Sequence, residues 1–233
     1  MKRFWKSAGI ATGEDGFRVE LDGRPVRTPA KRACVVPTRA LAEGIAAEWD
    51  AQTERVDPLS MPLMRAAATA LDRVLPEIDA VRANLTGYGG TDLLCYRAPH
   101  PPALAARQAE GWQPWLDWAR REHGAHLICA EGVIHVAQDD AAVAALGAAL
   151  ADYDGWSLTA LHEFVTLSGS LVLGLAVSQG ALAPGAAWNL SRIDEQWNID
   201  EWGEDADAAR LAASKRADFL QAARFLDLIR QSD

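Results

Sequence analysis

The sequence predicts an α+β fold, with a small N-terminal antiparallel β domain over residues 1–39 and a larger, mainly α-helical C-terminal domain over residues 40–233. Three observations predict it. Phe17-Arg18-Val19-Glu20-Leu21 alternates apolar and polar residues and runs into Asp22-Gly23, a favoured two-residue hairpin turn. At Thr38 the apolar spacing changes from two to three and four, the signature of an amphipathic helix. Beyond that point the chain is rich in alanine, the strongest helix former.

In the β domain, Arg24 to Thr28 forms the return strand of the hairpin and Pro29 stops it. Ala33-Cys34-Val35-Val36 adds a short strand, Gly13 to Gly16 is a turn, and Phe4-Trp5-Lys6 is expected to pair with the others. A sheet of three or four such strands buries little by itself and needs a helical partner on one face. Thr38 then caps a helix that places Leu41, Ile45 and Trp49 on one side. A second helix starts at Pro62 and stops near Pro76, and a third covers Glu77 to Leu85 before Gly87 to Gly90 breaks the pattern. Asp92 to Tyr96 fits helix or extended chain equally well.

Gly111 and Pro114 predict a kink, or two consecutive helices, within 103–122, where Trp112, Trp115 and Trp118 step by three. A hairpin or pair of strands is expected between His126 and Gln138, and Asp139 or Asp140 caps an alanine-rich helix reaching about Ala151. Ser157 to Gln179 is expected as one central helix, apolar around most of its circumference and ended by Gly180. Another runs from Pro184 to about Glu201. Asp205 caps a last helix whose seam is Ala208, Leu211, Lys215, Phe219, Ala222, Leu226 and Ile229.

Composition excludes several function classes. The net charge of −9 argues against a nucleic-acid partner, although residues 1–39 carry nine basic and four acidic side chains, so a basic head precedes an acidic body. No apolar run approaches the roughly 20 residues that cross a bilayer, so no membrane insertion is expected. Cys34, Cys95 and Cys129 lie far apart and read as reduced, packed thiols. Met1 leads directly into Lys2-Arg3-Phe4-Trp5-Lys6 rather than into a secretory h-region, which predicts a bacterial cytoplasmic protein.

Familiar catalytic patterns fail on inspection. The glycines at 87–90 lack the Lys-Ser/Thr pair of a phosphate loop. His162-Glu163 opens like a zinc-protease helix, but Thr166 stands where the second histidine belongs. Ser168-Gly169-Ser170 lacks the flanking glycines of a nucleophile elbow. No cofactor is expected.

One polar segment stands out. From Asp194 to Asp205, carboxylates recur at three and four residues, and Trp188, Trp197 and Trp202 make a tryptophan and carboxylate strip with them. Asp194, Asn198 and Glu201 could share a helical face and hold a metal ion, but no histidine accompanies them and Ile199 occupies the glycine position of a calcium loop. Large amphipathic rings flanked by charge also suit a protein-contact surface, as well as a solvated face or a core. Glu195, Trp197, Glu201, Trp202 and Asp205 are the candidate partner-binding residues.

Six motifs in order, Lys2-Arg3-Phe4-Trp5-Lys6, Leu21 through Pro29, Glu48-Trp49-Asp50-Ala51-Gln52, Met61-Pro62-Leu63, Thr91 through Ala98, and Asp194-Glu195-Gln196 with Glu201 through Asp205, resemble the assembly chaperones of the F1 sector of ATP synthase that hold the alpha subunit. The resemblance spans residues 2 to about 210, and departs at Ser168, where a threonine is expected. It implies a monomeric, ATP-independent chaperone that shields the beta-contacting surface of the unassembled alpha subunit, with relatives in the mitochondrial matrix. It also implies that the acidic segment, through Glu195, Glu201, Trp202 and Asp205, belongs to the client surface. The alternative from another class is a small-molecule or metal-dependent enzyme with a carboxylate site between the two domains.

Overall fold

A computed structural model describes residues 2–231. The fold is α+β, a small antiparallel sheet followed by a larger helical region, and its contacts divide into two compact units. Residues Met1–Ile78, Asp154–Ala160 and Gln221–Asp233 make the first, and Asp79–Tyr153 with Leu161–Leu220 the second.

In the first unit, β1 (Ala8–Gly13), β2 (Gly16–Leu21) and β3 (Arg24–Pro25) form a meander, and β4 (Val35–Val36) pairs with the start of β2. Ile10 lies opposite Val19, Leu21 opposite Arg24 and Phe17 opposite Val36. The hairpin turn uses positive φ at both Asp22 and Gly23, the mirror-image turn that matches strand twist. Gly16 is required where β4 joins, since a Cβ there would lie 2.5 Å from the Val36 carbonyl oxygen.

Alternation places Phe17, Val19 and Leu21 inward, where α1 (Arg39–Asp50) packs across β1 and β2 with Leu41, Ile45 and Trp49 buried. Thr38 caps α1 as expected: its Oγ1 accepts from the Leu41 amide and donates to the Leu228 carbonyl at 2.8 Å. The expected strand at Phe4 to Lys6 does not form. Trp5 instead packs edge-on against Trp49, centroids 5.1 Å apart, while Arg3 donates to the backbone carbonyls of Trp5, Lys6, Asp50 and Gln52. The return strand is also shorter than expected, ending at Pro25, with one further isolated bridge from Arg27 to Ala33.

Glu48 reaches from α1 to the N-terminus of α2 (Pro62–Thr69), accepting from the Leu63 amide at 2.7 Å and the Met64 amide at 2.8 Å. These are two of the donors that a helix start leaves without partners. Burial, the largest cause, raises the Glu48 pKa, and the two amides oppose that shift. Gln52 ties down the connection, accepting from the Asp57 amide and donating to Ser60 Oγ. After Thr69 the chain continues as a single π-helical turn, Ala70–Val74, whose Asp72 accepts from Thr28 Oγ1 at 2.7 Å.

The second unit begins with α3 (Ile78–Gly89), which runs through Gly87 where the sequence predicts a break. Tertiary packing overrides propensity there: a Cβ on Gly89 would lie 3.0 Å from Leu146 Cδ1. Leu93–Cys95 is a 3₁₀ turn leading into β5 (Tyr96–Arg97). Next, α4 (Pro102–His123) is one helix despite Gly111 and Pro114, correcting the alternative of two. β6 (Ala130–Glu131) pairs in parallel with β5, so residues 126–138 supply one strand to a distant partner instead of a hairpin. Asp139 caps α5 (Asp140–Ala148).

The helix expected over Ser157 to Gln179 is two helices, α6 (Gly155–Ser168) and α7 (Leu171–Ser178). Gly169 turns at φ +75° and Ser170 Oγ then accepts from the Leu173 amide as a new N-cap. Asp92 completes the junction, its carboxylate accepting from the Val172 and Leu94 amides at 3.0 and 3.1 Å. It is fully buried, and that burial pushes its pKa up to about 6 against the pull of its hydrogen bonds. All of α7 is buried, and Gly180 ends it at positive φ as expected.

The helix from Pro184 is likewise divided at Arg192, into α8 (Pro184–Ser191) and α9 (Ile193–Trp202). The last helix, α10 (Ala206–Arg230), is long and Asp205-capped as predicted, but its packing seam is not continuous. Ala208, Leu211 and Lys215 are exposed, and burial begins at Phe219, whose ring meets Phe164 at 5.0 Å and Trp188 at 5.9 Å.

Candidate functional site

The acidic segment forms α9 and its turn into α10, held by polar contacts from α4. Trp112 Nε1 donates to the Leu190 carbonyl at 2.8 Å, Gln108 Nε2 to Asp194 Oδ1 at 2.6 Å, and Arg107 pairs with Asp200 at 2.8 Å. The Arg107 hydrogen bond, helped by one from Gln196, holds the Asp200 carboxyl below its usual range. These contacts fix which side of α9 faces outward. Arg192, stacked 5.8 Å from the Trp188 ring centroid, pairs with Glu195 at 2.6 Å.

Gly203, at φ +88°, ends α9 and returns its amide to the Ile199 carbonyl. Asp205 Oδ1 accepts from the Ala208 amide at 2.8 Å and starts α10 at the next residue. Between α9 and the first turns of α10 lies an open groove of about 650 Å³. Its floor is apolar, from Trp188, Ile199, Ala208 and Ala212, and Trp202 stands at its edge, 79% exposed. Glu201 and Glu204 are exposed there, and neither makes a hydrogen bond or ion pair among the described residues.

Of the five candidate residues, Glu195, Trp202 and Asp205 line the groove. Trp197 is half-buried and Glu201 points to solvent, and neither lines it. Asp194, considered with Asn198 and Glu201 for metal, is tied to Gln108, and no group of three metal-ligating side chains occurs among the described residues. Sequence reasoning placed Trp188 in the tryptophan and carboxylate strip but missed Arg107, Arg192 and the alanines of α10 as lining residues. The available signal was the five alanines from Ala206 to Ala213, which leave room beside a tryptophan. Among the described residues no helix is long and apolar enough to cross a membrane.

Comparison with known proteins agrees with this architecture. Residues 2–120 match the family model described as ATP12 chaperone protein. The chain is similar to the Atp12 crystal structure from Paracoccus denitrificans, with 50% identity, 98% of each chain covered and a TM-score of 0.94, and equally so to a single-substitution variant of that protein. A solved protein of Agrobacterium tumefaciens is 42% identical with a TM-score of 0.93, covering 98% of this chain and 86% of that one. The mitochondrial protein atp12 of Schizosaccharomyces pombe is 24% identical over 219 residues, 89% of this chain and 75% of the relative. A single family thus joins the N-terminal sheet, the helical region and the bacterial and mitochondrial relatives: the chain belongs to the ATP12 chaperones, the assembly chaperones of F1 ATP synthase, which are not enzymes.

Proposed function

We propose that this chain holds the unassembled alpha subunit of F1 ATP synthase, covers the surface that the beta subunit later occupies, and surrenders it by competition without using ATP. An orphan subunit of a hexamer exposes an apolar interface and aggregates, so a partner that covers the patch protects it without any covalent step. Displacement by the true neighbour requires only that the final contact be tighter.

The observation that carries this reading is Trp202, a large ring 79% exposed at the edge of an apolar groove and flanked by carboxylates that have no partner within the described chain. Rings of this kind anchor protein contacts, and charges at the rim steer the approach of a basic partner. In this reading Trp202 is the anchor and Glu201 and Asp205 select charge. Glu195 positions Arg192, and the half-buried Trp197 supports the outer face of α9. The protein acts as a monomer in the bacterial cytoplasm.

The test mixes purified alpha subunit with this chain and follows light scattering and association, without nucleotide. Equimolar chain should suppress alpha precipitation, and added beta subunit should displace it. Trp202→Ala and Glu201→Lys should each weaken association about tenfold or more, roughly 1.4 kcal/mol, with unchanged thermal unfolding. Alpha that precipitates as before and does not associate would overturn the proposal.

A further inference from the structure

The three thiols do not share one environment. Cys34 is buried with Sγ 3.9 Å from Met64 Sδ, and Cys95 is buried, but Cys129 is exposed, against the expectation of three packed thiols. Cys95 leads into β5 and Cys129 leads into β6, and these strands are parallel, with Tyr96 opposite Ala130 and Arg97 opposite Glu131. Cys95 closes the 3₁₀ turn directly before Tyr96, and Cys129 directly precedes Ala130, the partner of Tyr96, so the pairing brings the two cysteines to neighbouring positions at the entry to the ladder. Paired strands lie about 4.8 Å apart, comparable to the Cα separation of about 4.4–6.8 Å that a disulfide spans.

A side-chain contact joins the same two segments. Arg97, at the end of β5, donates from Nη2 to Cys129 Sγ at 3.9 Å. The remaining buried nitrogens of that guanidinium, Nε and Nη1, have no hydrogen-bond partner among the described residues, and the group stacks 5.3 Å from the Trp112 ring centroid. A guanidinium with no carboxylate partner among the described residues therefore rests against the exposed sulfur. The Cys95 thiol is pushed up chiefly by burial, then by the neighbouring Asp92 and Cys129.

We propose that Cys129 and Cys95 form an oxidation site, in which a hydroperoxide attacks at Cys129 and Cys95 resolves the product into an intramolecular disulfide joining β5 to β6. In the first step the Cys129 sulfur takes the distal oxygen of hydrogen peroxide, becoming a sulfenic acid as the O–O bond breaks and one water leaves. In the second the Cys95 sulfur displaces that hydroxyl, which departs as a second water with the Cys95 proton. Two thiols lose two electrons and one peroxide gains them. The exposed sulfur meets the oxidant, and the buried one is positioned only to resolve.

The bridge would tie down the base of a segment whose Val133 is 95% and Ile134 78% exposed. The other end of that segment is already closed by Gln138, which exchanges two hydrogen bonds with the Ile128 backbone.

The test treats the full chain, folded, with hydrogen peroxide and maps its thiols. The expected result is loss of two hydrogen masses, a fall from three free thiols to one, and a non-reduced peptide joining Cys95 to Cys129, all reversed by dithiothreitol. Cys129→Ser should keep its remaining two thiols under the same exposure, and Cys95→Ala should accumulate a sulfenic acid that dimedone traps at Cys129. A wild-type protein whose Cys129 ends as sulfinic acid, as an intermolecular disulfide or unmodified, while Cys95 stays free to alkylate, would overturn the proposal. The wild-type peptide map decides the matter even if Cys95→Ala fails to fold.

Discussion

Carboxylates around α1 and α2 and those along α9 and α10 are similarly dense in the sequence and opposite in use. Glu48 caps α2, Asp50 accepts from the Ala8 amide at 2.8 Å, and Asp22 accepts from the Lys6 and Ser7 amides, which together hold its pKa below the usual range. On the other strip Asp194, Glu195 and Asp200 are held by side chains and Asp205 by a backbone amide, but Glu201 and Glu204 meet solvent. A carboxylate already bonded to its own chain stabilises the fold and has little left for a partner. One with open lone pairs contributes almost nothing to stability and is free to select a client.

Removing a carboxylate from the engaged set should have the largest effect. Glu48→Ala strands two buried amides and is expected to cost about 4 kcal/mol in denaturant unfolding, with client affinity of the folded fraction unchanged. A loss no larger than that of a surface mutation would break the contrast.

Asp92, buried in the second unit, sharpens the comparison through pH. Its pKa of about 6 lies above the ordinary 3.8, so the folded chain holds this proton more tightly than the unfolded chain does. Its contribution is therefore most favourable in acid, falls as pH rises from about 4 through about 6, and is constant above. Stability of the wild type minus that of Asp92→Asn should drop by about 2 kcal/mol between pH 4 and pH 7, read from denaturant midpoints across that range. An engaged carboxylate with a lowered pKa, such as Asp22, should give the opposite slope.

Asp205 belongs to both sets, as the cap of α10 and a wall of the groove. Asp205→Ala should cost about 1 kcal/mol and also weaken client binding, whereas Asp205→Asn should retain most of the stability and lose only the charge. Glu204→Ala should change stability by less than about 0.5 kcal/mol, a null result in thermal unfolding that a large shift would contradict.

The features legible in the sequence are those governed by neighbouring residues. The Asp22-Gly23 turn, the Thr38, Asp139 and Asp205 caps and the left-handed Gly180 each arise from local backbone chemistry, and each occurs where expected. The break at Gly169-Ser170 was written just as locally, but the apolar residues on both sides share one continuous pattern and concealed it. Gly87 to Gly90 misled in the opposite direction, because close approach to α5 asks for a small residue inside a helix. The parallel pairing of β5 with β6 and the reach of Arg107 to Asp200 depend on long-range placement, which no local pattern encodes. For the candidate surface, the segment was legible from its acid and tryptophan content. Its groove was not, because Trp188 is closed into a groove only by alanines one helix further on.

The first turns of α10 emerge beside that groove with almost nothing packed on them: from Ala206 to Ala217 only Ala209 and Ala212 are partly covered, and Leu211 is 58% exposed. Such turns rest on the Asp205 cap, an exposed Asp207–Arg210 pair and alanine content, so their amide protons should trade with deuterated solvent well before those beyond Phe219. A docked client would slow that trade in these turns and leave the far end untouched. The helix thereby carries its own record of occupancy, written in backbone hydrogens and readable without altering a single residue.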